Sequence, residues 1–277
     1  MAVTVKNPLH AKSKISLKLK KFINLKFVSF AFLLLASCSN DEFISSYNDD
    51  NASMVTRSVM DLRYPLNSFV TTNSLNSTDA NTVTSILDVL QGKYGDGYIP
   101  VFKKIATTNP VSEIKRGAIS GNAPASYNPS TNIVTLKTGT TIQQNYVQEE
   151  FIHAAQDRTY SGGIAQYVAT TGTPNIEFEA KIIQEMMYYI VDGGGFGNLG
   201  SGPIYSDEYI RWIVAVCSDG SSDTFPDLDK VLSTKYSNLG YYDFLDYFKI
   251  KDSQYNHNTI YSLRPQLIDY INNNYGL

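Results

Sequence analysis

Between residues 144 and 157 the chain runs Gln144-Asn145-Tyr146-Val147-Gln148-Glu149-Glu150-Phe151-Ile152-His153-Ala154-Ala155-Gln156-Asp157. Val147, Phe151, Ala154 and Ala155 recur at helical spacing, so a helix is expected over residues 143–158. On it Glu149 and His153 stand at i and i+4, one turn apart on one face, and Glu150 lies next to both. Two ligands one turn apart, with a carboxylate at the second position, are how a helix holds a metal ion and aims a general base at its water. The same side chains, with Asp157, also suit the solvated face of an ordinary amphipathic helix.

Upstream, Asn128-Pro129-Ser130-Thr131-Asn132 is a turn signal followed by Ile133-Val134-Thr135-Leu136. Residues 113–120 read as a further strand, so a small antiparallel sheet is expected. Earlier still, Ser77-Thr78-Asp79 caps a first helix with Val83, Ile86, Leu87 and Leu90 as its stripe and Gly92 as its stop. Downstream the period is helical over residues 174–191, 206–217, 226–236, 241–249 and 265–273, with Pro174, Pro226 and Pro265 expected at first helical positions. The expected fold class is α+β, a small antiparallel sheet packed with a predominantly helical C-terminal half, in one globular domain over residues 63–277.

The string Glu149-Glu150-Phe151-Ile152-His153 resembles the zinc helix of zincin metallopeptidases, specifically the gluzincin branch. The resemblance implies that Glu150 is the catalytic base and His153 a metal ligand, and it puts Glu149 where the family has its first His ligand. The ending His153-Ala154-Ala155-Gln156 is similar to that of some toxin-like and lipoprotein members. Gluzincins draw a third ligand from a Glu on a following helix, in an E-x-x-A-D or E-x-x-S-D setting. Here Glu177-Phe178-Glu179-Ala180-Lys181 is the counterpart; Ala180 aligns Glu177 with that ligand, Glu179 is the fallback, and Lys181 replaces the Asp. By spacing alone, Glu177 and Lys181 also form an i, i+4 ion pair worth ~0.3 kcal/mol.

The resemblance spans about residues 125–191 and implies a zincin-like domain that hydrolyses peptide bonds through metal-activated water. It also implies that an edge strand, here Ile133, Val134 and Thr135, binds the substrate backbone by β-addition. The implied cofactor is a divalent metal, zinc if the site is functional, with Glu149, His153 and Glu177 as ligands. Two carboxylates and one imidazole are a harder set than two imidazoles and one carboxylate, which lowers zinc affinity and favours Mn²⁺ or an empty site.

The first 37 residues carry seven Lys and no acid, and end in the apolar run from Phe27 to Leu35, as in a secretory signal. Leu35-Ala36-Ser37-Cys38 resembles the lipobox of bacterial lipoproteins, which implies cleavage after residue 37 and lipidation of Cys38. Ser39 does not resemble an inner-membrane retention signal, and Asn40-Asp41-Glu42 resembles surface-export signals. An outer-membrane lipoprotein is therefore expected, with display on the cell surface as what the export-like acids imply, touching the membrane only through its lipid, and with residues 38–62 as a flexible tether.

From Cys38 onward, 16 of the 23 basic residues face all 26 acidic ones, so the remaining chain carries about −10. That argues against nucleic acid or an anionic lipid surface as the main partner and for a neutral or cationic one, which the zincin resemblance implies is a peptide or protein. Cys217, the other cysteine, falls on a stripe with Ile210, Ile213 and Val214 and reads as a small core residue. Gly195-Phe196-Gly197-Asn198-Leu199-Gly200 spells a dinucleotide motif without its strand and reads as a loop, and His257 reads as an exposed loop residue. A count of 20 Tyr supports an alternative function, a catalytically degenerate zincin-like lipoprotein acting as a binding or adhesion module.

Overall fold

The computed structural model of the protein describes residues 74–108, 111–193, 206–218, 224–251 and 255–276. The expected signal, Cys38, the tether and the Gly195-to-Gly200 string lie outside the described residues. Helix α1, Ser77–Gly92, is capped by Asn76, whose side chain accepts the Asp79 amide at 2.9 Å, one residue before the expected cap. Its buried stripe is Val83, Leu87 and Leu90.

Helix α2, Gly95–Thr108, has no counterpart in the sequence reading. It carries Gly95, Gly97 and Pro100, three residues that argue against a helix locally, yet Tyr98, Val101, Phe102 and Ile105 form a fully buried i, i+3, i+4, i+7 stripe. Packing of that stripe overrides the propensity. Gly97 has a tertiary reason, since a Cβ there would come within 2.9 Å of Met187 Cε.

The sheet is mixed rather than antiparallel. Strands β1 (Glu113–Gly117), β2 (Ala125–Asn128) and β3 (Ile133–Lys137) lie in the order β1-β3-β2. β2 and β3 form the expected antiparallel hairpin, turned by Asn128, whose Oδ1 accepts the Ser130 amide at 2.9 Å, and by Asn132 at φ 59°. β3 then returns between β2 and β1 and runs parallel to β1. Ile133, Val134 and Thr135 therefore sit on the middle strand, not an edge. They pair with Glu113, Ile114 and Lys115 on one side and with Asn128, Tyr127 and Ser126 on the other, so their backbone groups are not available for β-addition.

The helices that follow are α3 (Gln144–Thr159), α4 (Thr173–Asp192), α5 (Ser206–Cys217), α6 (Leu228–Ser233), α7 (Tyr241–Lys251) and α8 (Gln266–Asn272). Pro174 opens α4 as expected. Pro226 instead precedes the Asp227 cap of a shortened α6, and Pro265 is itself the cap residue of α8. Cys217 is a buried core residue, although the face of α5 that turns inward is Tyr209, Trp212, Ile213 and Val216. His257 is half-buried rather than exposed. No described helix is long and apolar enough to cross a membrane.

α3 occupies the middle, packed against α1, α2, α4, α8 and β2. Phe151 meets Phe102 of α2 edge to face, with ring centroids 5.7 Å apart. Every residue of α3 from Val147 to Gln156 is buried, as is every residue of α4 from Thr173 to Met187. Such helices have no wet side, so their polar side chains must find partners inside the protein.

Candidate metal centre

The solvated-face alternative for α3 fails on burial: relative exposure is 2% at Glu149, 0% at Glu150 and 0% at His153. Glu177, on the facing side of α4, is exposed by only 1%. Nε2 of His153 lies 3.5 Å from Oε2 of Glu177 and 4.0 Å from Oε1 of Glu149. One ligand atom from each of Glu149, His153 and Glu177 falls within 4.8 Å of the other two, so this buried group can hold a metal ion. Ligand atoms around a tetrahedral zinc stand about 3.3 Å apart, so the separations here, 3.5 Å to at most 4.8 Å, would have to close on binding.

The geometry separates the two candidates on α4. Glu177 faces His153, whereas Glu179 is committed elsewhere. Its Oε2 accepts from Tyr160 Oη at 2.6 Å and Gln156 Nε2 at 2.8 Å, and its Oε1 accepts from the amides of Leu267 at 2.7 Å and Ile268 at 3.2 Å. Burial raises the Glu179 carboxyl above the usual carboxylate range, while these four donors pull it back down.

The same network fixes the His153 ring. Gln156, one turn further along α3, donates through Nε2 to Glu179 and to the carbonyl of Ile176 at 2.9 Å. Its Oε1 must then face His153 Nδ1, 2.8 Å away, and Nδ1 must donate. Nε2 is left directed at the carboxylates. Neither Nε2 of His153 nor Oε2 of Glu177 has a hydrogen-bond partner among the described residues, an arrangement of buried polar atoms that a shared cation satisfies.

Burial alone would lower the His153 pKa, but Glu177 first, then Glu150 and Glu149, outweigh it and raise the value from 6.5 to about 9. Glu150 thus lies close enough for its charge to act on the ring. Glu149 has a second engagement, because Nζ of Lys181 lies 2.6 Å from its Oε2. The ion pair made by Lys181 therefore bridges the two helices, and it is buried rather than the solvated i, i+4 pair expected with Glu177.

Two functional side chains had only partial signals in the sequence. Gln156 stands at i+3 from His153, which places it beside the ring, but the partner that orients it is on another helix. Lys181 stood out as the residue replacing an expected Asp and as an i, i+4 partner of Glu177, whereas the structure pairs it with Glu149 on α3. No protein-family model, curated protein or solved structure matches this chain.

Proposed function

We propose that the chain is a zincin-like, metal-dependent peptidase held at the outer surface of a bacterial outer membrane by a lipid on Cys38. The observation that carries this reading is the His153 ring, locked by Gln156 so that Nε2 faces Glu177 and Glu149 inside the protein. The order of elements supports it as well: a hairpin, then the helix with Glu149, Glu150 and His153, then the helix with Glu177.

His153, Glu177 and Glu149 are the residues to hold the ion, with zinc the first candidate and Mn²⁺ favoured by the two carboxylates. When bound, the ion supplies Lewis-acid polarisation of the scissile carbonyl and acidifies a water. Glu150 is the base. It takes the proton of the attacking water as oxygen bonds to the carbonyl carbon, then delivers it to the leaving amine nitrogen as the C–N bond breaks. The low-dielectric surroundings strengthen each of these charge interactions.

A second reading, a degenerate site on a binding or adhesion module, is favoured by two observations. Lys181 already supplies a cation to Glu149, and all four site side chains are buried. Elemental analysis of the purified protein, followed by incubation with a peptide library, decides between them. Stoichiometric metal with peptide cleavage supports the peptidase, whereas a folded protein that takes up no zinc or manganese leaves only the binding module.

A further inference from the structure

We propose that Lys181 limits the metal affinity of the site by holding the Glu149 carboxylate as an internal counter-cation. The inference rests on the metal-centre reading above. Glu149 reaches Lys181 Nζ with Oε2 at 2.6 Å and turns Oε1 toward His153 Nε2 at 4.0 Å. One carboxylate therefore serves the ammonium with one oxygen and the ligand cluster with the other. Lys181 is 3% exposed, so its charge is poorly screened and acts on Glu149 at close to full strength.

The charges explain why such a lysine belongs there. A histidine ligand is neutral, whereas Glu149 adds a negative charge next to Glu150 and Glu177, all in the interior. Three buried carboxylates against one divalent ion leave an excess charge of −1. Lys181 cancels it. The cancellation has a cost for binding, since the ammonium repels an incoming cation and ties up the lone pairs of Oε2. Removing the ammonium leaves Glu149 a stronger ligand in a more negative site, and takes from the metal-free protein a buried ion pair.

A lysine that merely supported packing would produce a different pattern on substitution. It would weaken the metal-free and metal-loaded proteins alike and leave affinity unchanged. The test is calorimetric titration with zinc chloride, together with thermal melts with and without zinc, on the full chain and on Lys181→Met, Lys181→Gln and Lys181→Arg. The Gln variant can still donate to Glu149 and covers the case in which the Met variant does not fold.

The expected result is at least tenfold tighter zinc binding in Lys181→Met or Lys181→Gln, and wild-type affinity in Lys181→Arg. The metal-free melting temperature should fall while the rise on adding zinc grows. Zinc binding of equal strength in wild type and Lys181→Gln overturns this role for Lys181 and leaves the metal centre standing. No zinc binding by any folded variant overturns both.

Discussion

Oε1 of Gln156 lies 2.8 Å from Nδ1 of His153 and gives the ring one orientation and, once Nε2 has given up its proton, one tautomer. Replacing Gln156 by Leu removes that acceptor and also one of the donors to Glu179. Zinc affinity is expected to drop about 10- to 100-fold, the range typical of lost partners behind a metal ligand. Calorimetry of Gln156→Leu against wild type measures it, and unchanged affinity would show that the ring is held by packing alone.

Glu150→Gln should abolish peptide hydrolysis while metal stays bound, because the amide keeps the side-chain shape but cannot take the water's proton. Cleavage rates and metal content are read on the same sample. His153→Ala should lose both. Cleavage by Glu150→Gln at the wild-type rate rules out the proposed base.

The His153 pKa predicts how pH acts on the site. The folded value of about 9 exceeds the ordinary 6.5, so protonation stabilises the metal-free protein. That contribution is whole below pH 6.5 and is lost as pH rises through about 9. Metal binding has the opposite sign, since Nε2 must give up its proton, and zinc affinity should climb about tenfold per pH unit between 6.5 and 8.5. Melts and titrations across that range are expected to show a falling metal-free melting temperature and a growing gain on zinc addition. A flat zinc affinity over the two units contradicts the assignment of His153 as a ligand.

Glu149→His completes an H-E-x-x-H string but removes the carboxylate paired with Lys181 in the interior, a loss of about 3–5 kcal/mol for a broken buried pair. The single variant should be less stable than wild type. In Glu149→His with Lys181→Met the ammonium is removed as well, and zinc should bind about one to two orders of magnitude more tightly than in wild type. Denaturant melts and zinc titrations of both variants test the two halves separately.

On the proposed lipoprotein reading, Cys38→Ala should shift the protein from the membrane fraction to a soluble or unprocessed pool, because it removes the sulfur that would carry the lipid anchor. Fractionation with mass analysis of the mature N-terminus is the measurement. Membrane association that persists without lipid on Cys38 removes the lipoprotein reading.

The helices that carry the site were legible because their signals are local: the stripe of Val147, Phe151, Ala154 and Ala155, and Pro174 at the head of α4. α2 was hidden by Gly95, Gly97 and Pro100, whose tolerance depends on what Tyr98, Phe102 and Met187 pack against. Strand pairing was hidden for a related reason. The turn at residues 128–132 and the β-branched run after it identify a strand but not all of its neighbours, and so could not reveal that β1 lies on its second side. Within the site, spacing along one helix put Glu149 and His153 together. It carried nothing about which residue of α4 reaches across, and so left Lys181 with Glu177 and Gln156 without Glu179.

The hold that Leu267 and Ile268 keep on Glu179 also sets a timetable. Ribosomes make the chain from its N-terminus, so Glu149, His153, Glu177 and Glu179 all emerge before the amides of α8, with 88 positions separating Glu179 from Leu267. At roughly 5–20 residues per second that is a delay of about 4–18 s. During it Glu179 lacks two of its four donors and is held by Tyr160 and Gln156 alone. The network behind His153 is therefore closed last, when the amides of α8 reach Glu179 from the far end of the described fold.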